Sequence, residues 1–185
     1  MMRQVKNFFI GGILAIAFAA LVFVFWMRDR YAVPILTYHN ISDTHGKFAL
    51  NNVTPKAFEW QMKFLKKHDY HVISFDDYVQ GVKHGFDFAR NTVIIHFDDG
   101  YEDNYTNAFP ILKQYKFPAM VFLVSDSIDT PGFLTWDQVK EMDVHGFKAG
   151  AHTRHHLYLP EISSIQARDE IFGSKKIIEE RLGKL

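Results

Sequence analysis

A chain of 185 residues with 21 basic and 21 acidic side chains carries no net charge while its ten histidines are neutral, so no basic patch or tail marks it as a nucleic-acid binder. It has no cysteine, which excludes disulfides, thiolate metal sites, a cysteine nucleophile and a lipid-anchored cysteine near the N-terminus.

In chain order, the first feature is Phe8–Trp26, nineteen residues without a charge. As a helix at about 1.5 Å per residue it spans roughly 28 Å, close to the ~30 Å hydrocarbon core of a bilayer. Arg3 and Lys6 precede it and Arg28 and Arg30 follow, so flanking charge sets no orientation. A cleaved signal peptide is the alternative, with Ala17-Phe18-Ala19 as a small-x-small site, but signal peptides usually carry only about 7–15 apolar residues. Residues 1–30 are therefore expected to be an uncleaved single-pass membrane anchor, followed by one soluble domain, 31–185.

Val33–Ile41 reads as a strand. Thr54-Pro55 marks a helix start, with Thr as cap and Pro at the first helical position; Phe58, Met62 and Leu65 then recur on one face. His71–Phe75 is a short strand and Asp77–Val82 a short helix closed near Gly85. Thr92–Phe97 is the central strand. Tyr105–Tyr115 is helical, with Pro110 in its first turn or kinking it. Pro118–Val124 is a further buried strand. Thr135-Trp136-Asp137-Gln138 resembles a capping box opening a helix to Val144. Phe147–Ala151 is a strand, and Ser163 or Ser164 opens a last helix closed by Gly183, with Ile171, Phe172, Ile178 and Leu182 apolar. This alternation implies an α/β fold with a mostly parallel sheet.

Chemistry concentrates in two places. Val93-Ile94-Ile95-His96-Phe97 is an apolar run that ends at Asp98-Asp99-Gly100-Tyr101, so two carboxylates sit at the C-terminal end of a buried strand, where α/β folds place their sites. His152-Thr153-Arg154-His155-His156 follows another strand, and the i, i+4 spacing puts His152 and His156 on one side of a helical turn. Two histidines and one carboxylate suit a divalent metal with positions left open, and the second carboxylate is then free to act as a base. A turn with a helix cap is the plainer reading of an Asp pair. The chain offers a comparison in Ser74-Phe75-Asp76-Asp77-Tyr78, where Tyr replaces Gly and Asp76 or Asp77 is read as a helix cap.

His96-Phe97-Asp98-Asp99-Gly100-Tyr101 together with His152-Thr153-Arg154-His155-His156 resembles the first two motifs of the polysaccharide deacetylases, carbohydrate esterase family 4, with His96 in place of the usual Thr. Pro34-Ile35-Leu36-Thr37-Tyr38-His39 resembles the subgroup that deacetylates poly-N-acetylglucosamine. The resemblance covers about Pro34 to Leu185. It implies a distorted (β/α) barrel, partial here, since about five strands are legible and a (β/α)₈ barrel takes about 250 residues; the chain is expected to be a fragment or a truncated protein.

The resemblance further implies metal-dependent N-deacetylation of an N-acetylglucosamine polysaccharide, hydrolysis of a carbon–nitrogen bond other than a peptide bond. One divalent ion, Zn above Ni, Co or Fe, would be held by Asp99, His152 and His156. Asp98 would be the base and His39 the acid. The Tyr101 amide would steady the oxyanion, and Thr153 would bond a ligand or an acetate oxygen. His155 is expected to face away, and Phe133 and Tyr158 to be free to stack on sugars. The expected location is the cell membrane, with the catalytic domain outside and polysaccharide and membrane as partners. The rival substrates are peptidoglycan and chitin oligosaccharides; the rival class is a truncated, non-catalytic glycan-binding remnant.

Overall fold

The structure, a computed structural model, describes residues 2–28, 32–43 and 51–183, and within the first helix the side chains of 10–25. The chain divides into two compact units, Met1–Val33 and Pro34–Leu185. The first is one helix, α1 (Met2–Arg28). Among the described residues no helix is long and apolar enough to cross a membrane. Phe8, Phe9 and Trp26, the ends of the expected span, lie outside the residues whose side chains are described. The expected transmembrane helix is thus not supported by the structure.

The second unit is α/β, as the alternation of strand and helix implies. Its strands are β1 (Ile35–Tyr38), β4 (His71–Val72), β5 (Thr92–Phe97), β6 (Ala119–Leu123) and β7 (Phe147–Ala151), in the order β1-β5-β6-β7 with β4 against β5. Every pairing is parallel. A second parallel pair joins β2 (Asn40–Ile41) to β3 (Asn52–Val53). The described strands make an open parallel sheet with β1 and β7 at its ends; the resemblance implied a partial barrel. In β5, Thr92 to Ile95 and Phe97 are buried, the continuous pattern of a strand covered on both faces.

Helix α2 (Pro55–Lys67) is capped by Thr54, which accepts from the Ala57 amide, and turns Phe58, Met62 and Leu65 inward. Phe58, Tyr38 and Phe97 pack as neighbours, edge-on or tilted, with ring centroids 5.0–5.9 Å apart. Helix α3 (Phe75–Lys83) starts earlier than expected, and its cap is Ser74, not Asp76 or Asp77. The Ser74 hydroxyl accepts from the Asp77 amide at 3.0 Å and donates to its carboxylate at 2.7 Å, so Asp77 serves as the third residue of the turn. Thr135 and Gln138 form the expected capping box on α5 (Trp136–Val144).

Both remaining helical segments contain a wide π turn. Asn104–Ala108 precedes α4 (Phe109–Tyr115), and Asp169–Gly173 lies between α6 (Ser164–Arg168) and α7 (Ser174–Leu182). The second of these changes the helix face. Glu170 is buried at 4% exposure, while the apolar Ile171 and Phe172 are 47% and 62% exposed.

Candidate active site

The C-terminal ends of the parallel strands meet at one edge of the sheet. β1 runs into His39, β5 into Asp98 and Asp99, and β7 into His152. The Asp98 amide donates to the Tyr38 carbonyl and the His152 amide to the Leu123 carbonyl, both at 2.9 Å, so ladder-like bonding carries the chain one residue past each strand and fixes where these side chains leave the sheet. The chain then turns through left-handed backbone at Asp99 (φ 71°) and Gly100 (φ 81°). Position 100 needs glycine for space as well, because a Cβ there would lie 2.9 Å from Leu123 Cδ2.

Asp99 is 8% exposed, and its Oδ1 is buried without a hydrogen-bond partner. That oxygen lies 3.5 Å from His152 Nε2 and 3.6 Å from His156 Nε2. Ligands at about 2.0–2.1 Å from an ion in tetrahedral geometry lie roughly 3.4 Å apart. A buried carboxylate oxygen left unbonded is costly, and one facing two imidazole nitrogens at that spacing fits a divalent cation. The three residues are also the set of metal-capable groups that cluster among the described residues.

The histidine pair is not on a helical turn. Residues 152–156 form a loop, with Thr153 at φ 66° and His156 at φ 58°. This crossing of left-handed backbone, and not i, i+4 helical periodicity, brings the two rings to 4.9 Å. Such conformations cost on the order of 1–3 kcal/mol each and persist where the surroundings impose them. The Thr153 hydroxyl accepts from the His156 amide at 3.0 Å, so Thr153 closes the loop on itself.

Asp98 stands between two imidazoles. His39 Nε2 is 3.9 Å from its Oδ2 and His96 Nε2 is 3.8 Å from its Oδ1. The His39 backbone is tied from below: Asn104, fully buried at the start of its π turn, donates to the His39 carbonyl at 2.7 Å and to Asp103 at 3.1 Å. Both His96 ring nitrogens are buried without a hydrogen-bond partner. Burial lowers the His96 pKa below its ordinary value, against the pull of Asp98. His96 is a residue that sequence reasoning set aside. The signal was its spacing, since residues 96 and 98 share a face of an extended strand.

Phe122 packs edge-on against His96 at 5.3 Å and also fills the space over Gly150, where an added Cβ would lie 2.6 Å from the Phe122 ring. Gly150→Ala is therefore expected to destabilise the fold by about 1–3 kcal/mol through overpacking, read as a lower midpoint in urea unfolding.

Tyr101 stacks on Phe133 at 5.2 Å. Burial first, and then the Asp99 carboxylate, raise the Tyr101 hydroxyl to about 12. His39, Asn40, Asp99, Tyr101, Phe133 and His156 are among the residues lining a cavity of about 380 Å³, a size suited to a small ligand. Trp136 is buried at 6% and packs in the core. Tyr158 is exposed and outside the cavity lining.

The His155 ring faces Glu170 and Asp126. Its Nδ1 lies 2.6 Å from Glu170 Oε1 and its Nε2 3.2 Å from Asp126 Oδ2. Arg154 bridges Asp126 at 2.7 Å and Asp169 at 2.8 Å. The Arg154 hydrogen bond is the main cause that holds the Asp126 carboxyl below its ordinary range. Burial would raise Glu170, but the donors from His155 and Arg154 outweigh it and hold that carboxyl low as well. Groups depressed on folding add stability above the unfolded-state pKa and lose it as pH falls through the folded-state value. The unfolding temperature is accordingly expected to drop as pH falls below about 4, the ordinary carboxylate range, and Asp126→Asn to flatten that drop in a pH series of thermal melts.

Residues 87–185, more than half of the chain, match the polysaccharide deacetylase family. The chain is 35% identical over 147 residues to YxkH of Bacillus subtilis (strain 168), a candidate polysaccharide deacetylase, covering 80% of this chain and 51% of that protein. It is 35% identical over 114 residues to the poly-β-1,6-N-acetyl-D-glucosamine N-deacetylase of Staphylococcus aureus (strain MRSA252), covering 57% of this chain and 39% of the relative. The chain thus spans about half or less of the length of these curated relatives. The solved structure of the Streptococcus pyogenes deacetylase PplD in complex with acetate superposes with a TM-score of 0.76 at 28% identity, over 82% of this chain and 70% of that one. The chain belongs to the polysaccharide deacetylase family.

Proposed function

We propose that the Pro34–Leu185 unit removes acetyl groups from N-acetylglucosamine residues of a polysaccharide, with poly-β-1,6-N-acetylglucosamine of a biofilm matrix as the substrate. The observation that carries this reading is the unpartnered Asp99 Oδ1 aimed at His152 and His156, beside a second carboxylate flanked by His39. The name of the Staphylococcus aureus relative supports the substrate.

Asp99, His152 and His156 would hold one divalent ion, with zinc the best match to two imidazoles and a carboxylate. Such an ion supplies polarisation of the acetamide carbonyl. Asp98 takes a proton from the attacking water, whose oxygen bonds the carbonyl carbon. As the C–N bond breaks, His39 gives a proton to the departing amine, leaving acetate and a glucosamine residue. The Tyr101 amide steadies the negative oxygen in between, and the Tyr101–Phe133 stack offers a face for a sugar ring. An extracytoplasmic position belongs to the same proposal. It rests on the location of such a substrate, and protease accessibility in intact cells tests it.

Acetate release from purified poly-β-1,6-N-acetylglucosamine, peptidoglycan and chitin oligosaccharides, measured side by side with added Zn²⁺, tests the function. Preferential release from the first is expected. Preference for either of the others reassigns the substrate, and glycan binding with no acetate from any of them would establish the non-catalytic reading.

A further inference from the structure

The loop that carries His152 and His156 has three residues between the two ligands, and two of their amides end on one side chain. Glu170 Oε2 accepts from the Arg154 amide and from the His155 amide, both at 2.9 Å. The other oxygen, Oε1, takes His155 Nδ1 at 2.6 Å. A carboxylate at 4% exposure is unfavourable unless its oxygens are satisfied, and here the loop supplies the donors. The burial is also the reverse of what composition favours: the charge points in while its neighbours Ile171 and Phe172 point out. The cause is the wide turn Asp169–Gly173, which places residue 170 on the sheet side.

The same turn accommodates the loop from its far end. A Cβ on Gly173 would lie 2.8 Å from Arg154 Cδ, so glycine leaves the path along which Arg154 reaches Asp126 and Asp169. The Asp126 amide in turn donates to the Arg154 carbonyl at 3.1 Å, and the Ser125 amide to the Thr153 carbonyl at 3.2 Å. Every residue between the ligands is thus held by a group outside the loop.

We propose that Glu170 is a positioning residue for the metal site: its buried carboxylate, presented by the π turn, holds the Arg154 and His155 amides and so imposes the left-handed backbone that aims His152 and His156 at Asp99. This rests on the metal-site reading of Asp99, His152 and His156. It extends that reading to a residue eighteen positions beyond His152.

The test uses the full chain and Zn²⁺ in competition with a chromophoric chelator, together with thermal melts and amide hydrogen exchange at Arg154 and His155. Loss of a group that orients metal ligands typically weakens affinity about 10–100-fold. That loss is expected in Glu170→Ala, with faster exchange at both amides. Glu170→Gln keeps one oxygen able to accept both amides and is expected to fall between Glu170→Ala and the unaltered protein. A purely structural role would lower the melting temperature and leave the Zn²⁺ affinity of the folded protein unchanged. Unaltered affinity and exchange in folded Glu170→Ala overturn the proposal; should that variant not fold, the same result in Glu170→Gln does so. If the unaltered chain binds no Zn²⁺, the metal reading fails by itself, and exchange at Arg154 and His155 in the variants still decides whether Glu170 holds the loop.

Discussion

Replacing Asp98 by Asn is expected to slow acetate release by about 10²–10⁴-fold, the usual worth of a general base, while Zn²⁺ content and melting temperature stay close to those of the unaltered protein. The geometry sets this expectation. Asp98 follows β5 directly, is anchored through its amide to the Tyr38 carbonyl, and points its two oxygens at His39 and His96 from 3.8–3.9 Å. No backbone amide caps onto its side chain among the described hydrogen bonds, so the substitution removes a base without removing a helix cap. A loss of a cap would cost about 0.5–2 kcal/mol and would show in the melt. Parallel measurement of acetate release, metal content and melting temperature separates the two roles. Undiminished release from a folded, metal-loaded Asp98→Asn protein would exclude Asp98 as the base.

The second large effect is on metal. His152→Ala or His156→Ala leaves two ligands of three, and either is expected to abolish stoichiometric Zn²⁺ binding. His155→Ala is expected to retain the ion, because that ring faces Glu170 and Asp126. Binding to the folded state alone stabilises it by about 2.7 kcal/mol at a free ligand concentration 100 times Kd. Added Zn²⁺ is therefore expected to raise the melting temperature of the unaltered protein and of His155→Ala, and to leave those of the two ligand variants unmoved. Equal metal content in all four proteins by elemental analysis would remove the assignment.

Much of this was legible from the sequence. The apolar run before Asp98, the capping box at Thr135 and the strand that delivers His152 each rest on a local signal, and local signals survive folding. What escaped was set by long-range contacts. The spacing of His152 and His156 suited a helix, yet the loop takes left-handed backbone because Glu170, Asp126 and Ser125 hold it from elsewhere in the fold. Ile171 and Phe172 fit an inward apolar stripe of period 3.6, but one wide turn shifts the phase and buries Glu170 in their stead. His96 precedes the carboxylates in the motif and for that reason carries no role in the sequence reading, although alternation along the strand already places it on the face of Asp98. The N-terminal run gave a simple reading by length and charge, whereas among the described residues no helix is long and apolar enough to cross a membrane.

Two of the three candidate ligands, Asp99 and His156, occupy left-handed backbone, which glycine adopts at the least cost. The His156 side chain is 60% exposed, and Asp99 brings a buried oxygen with nothing to bond it. Glycine at either position would relax the chain. A laboratory selection for heat resistance alone would thus be drawn toward these two positions and would dismantle the site while improving the scaffold. Thermostable descendants of this chain would have to be bred under a demand for turnover at the same time.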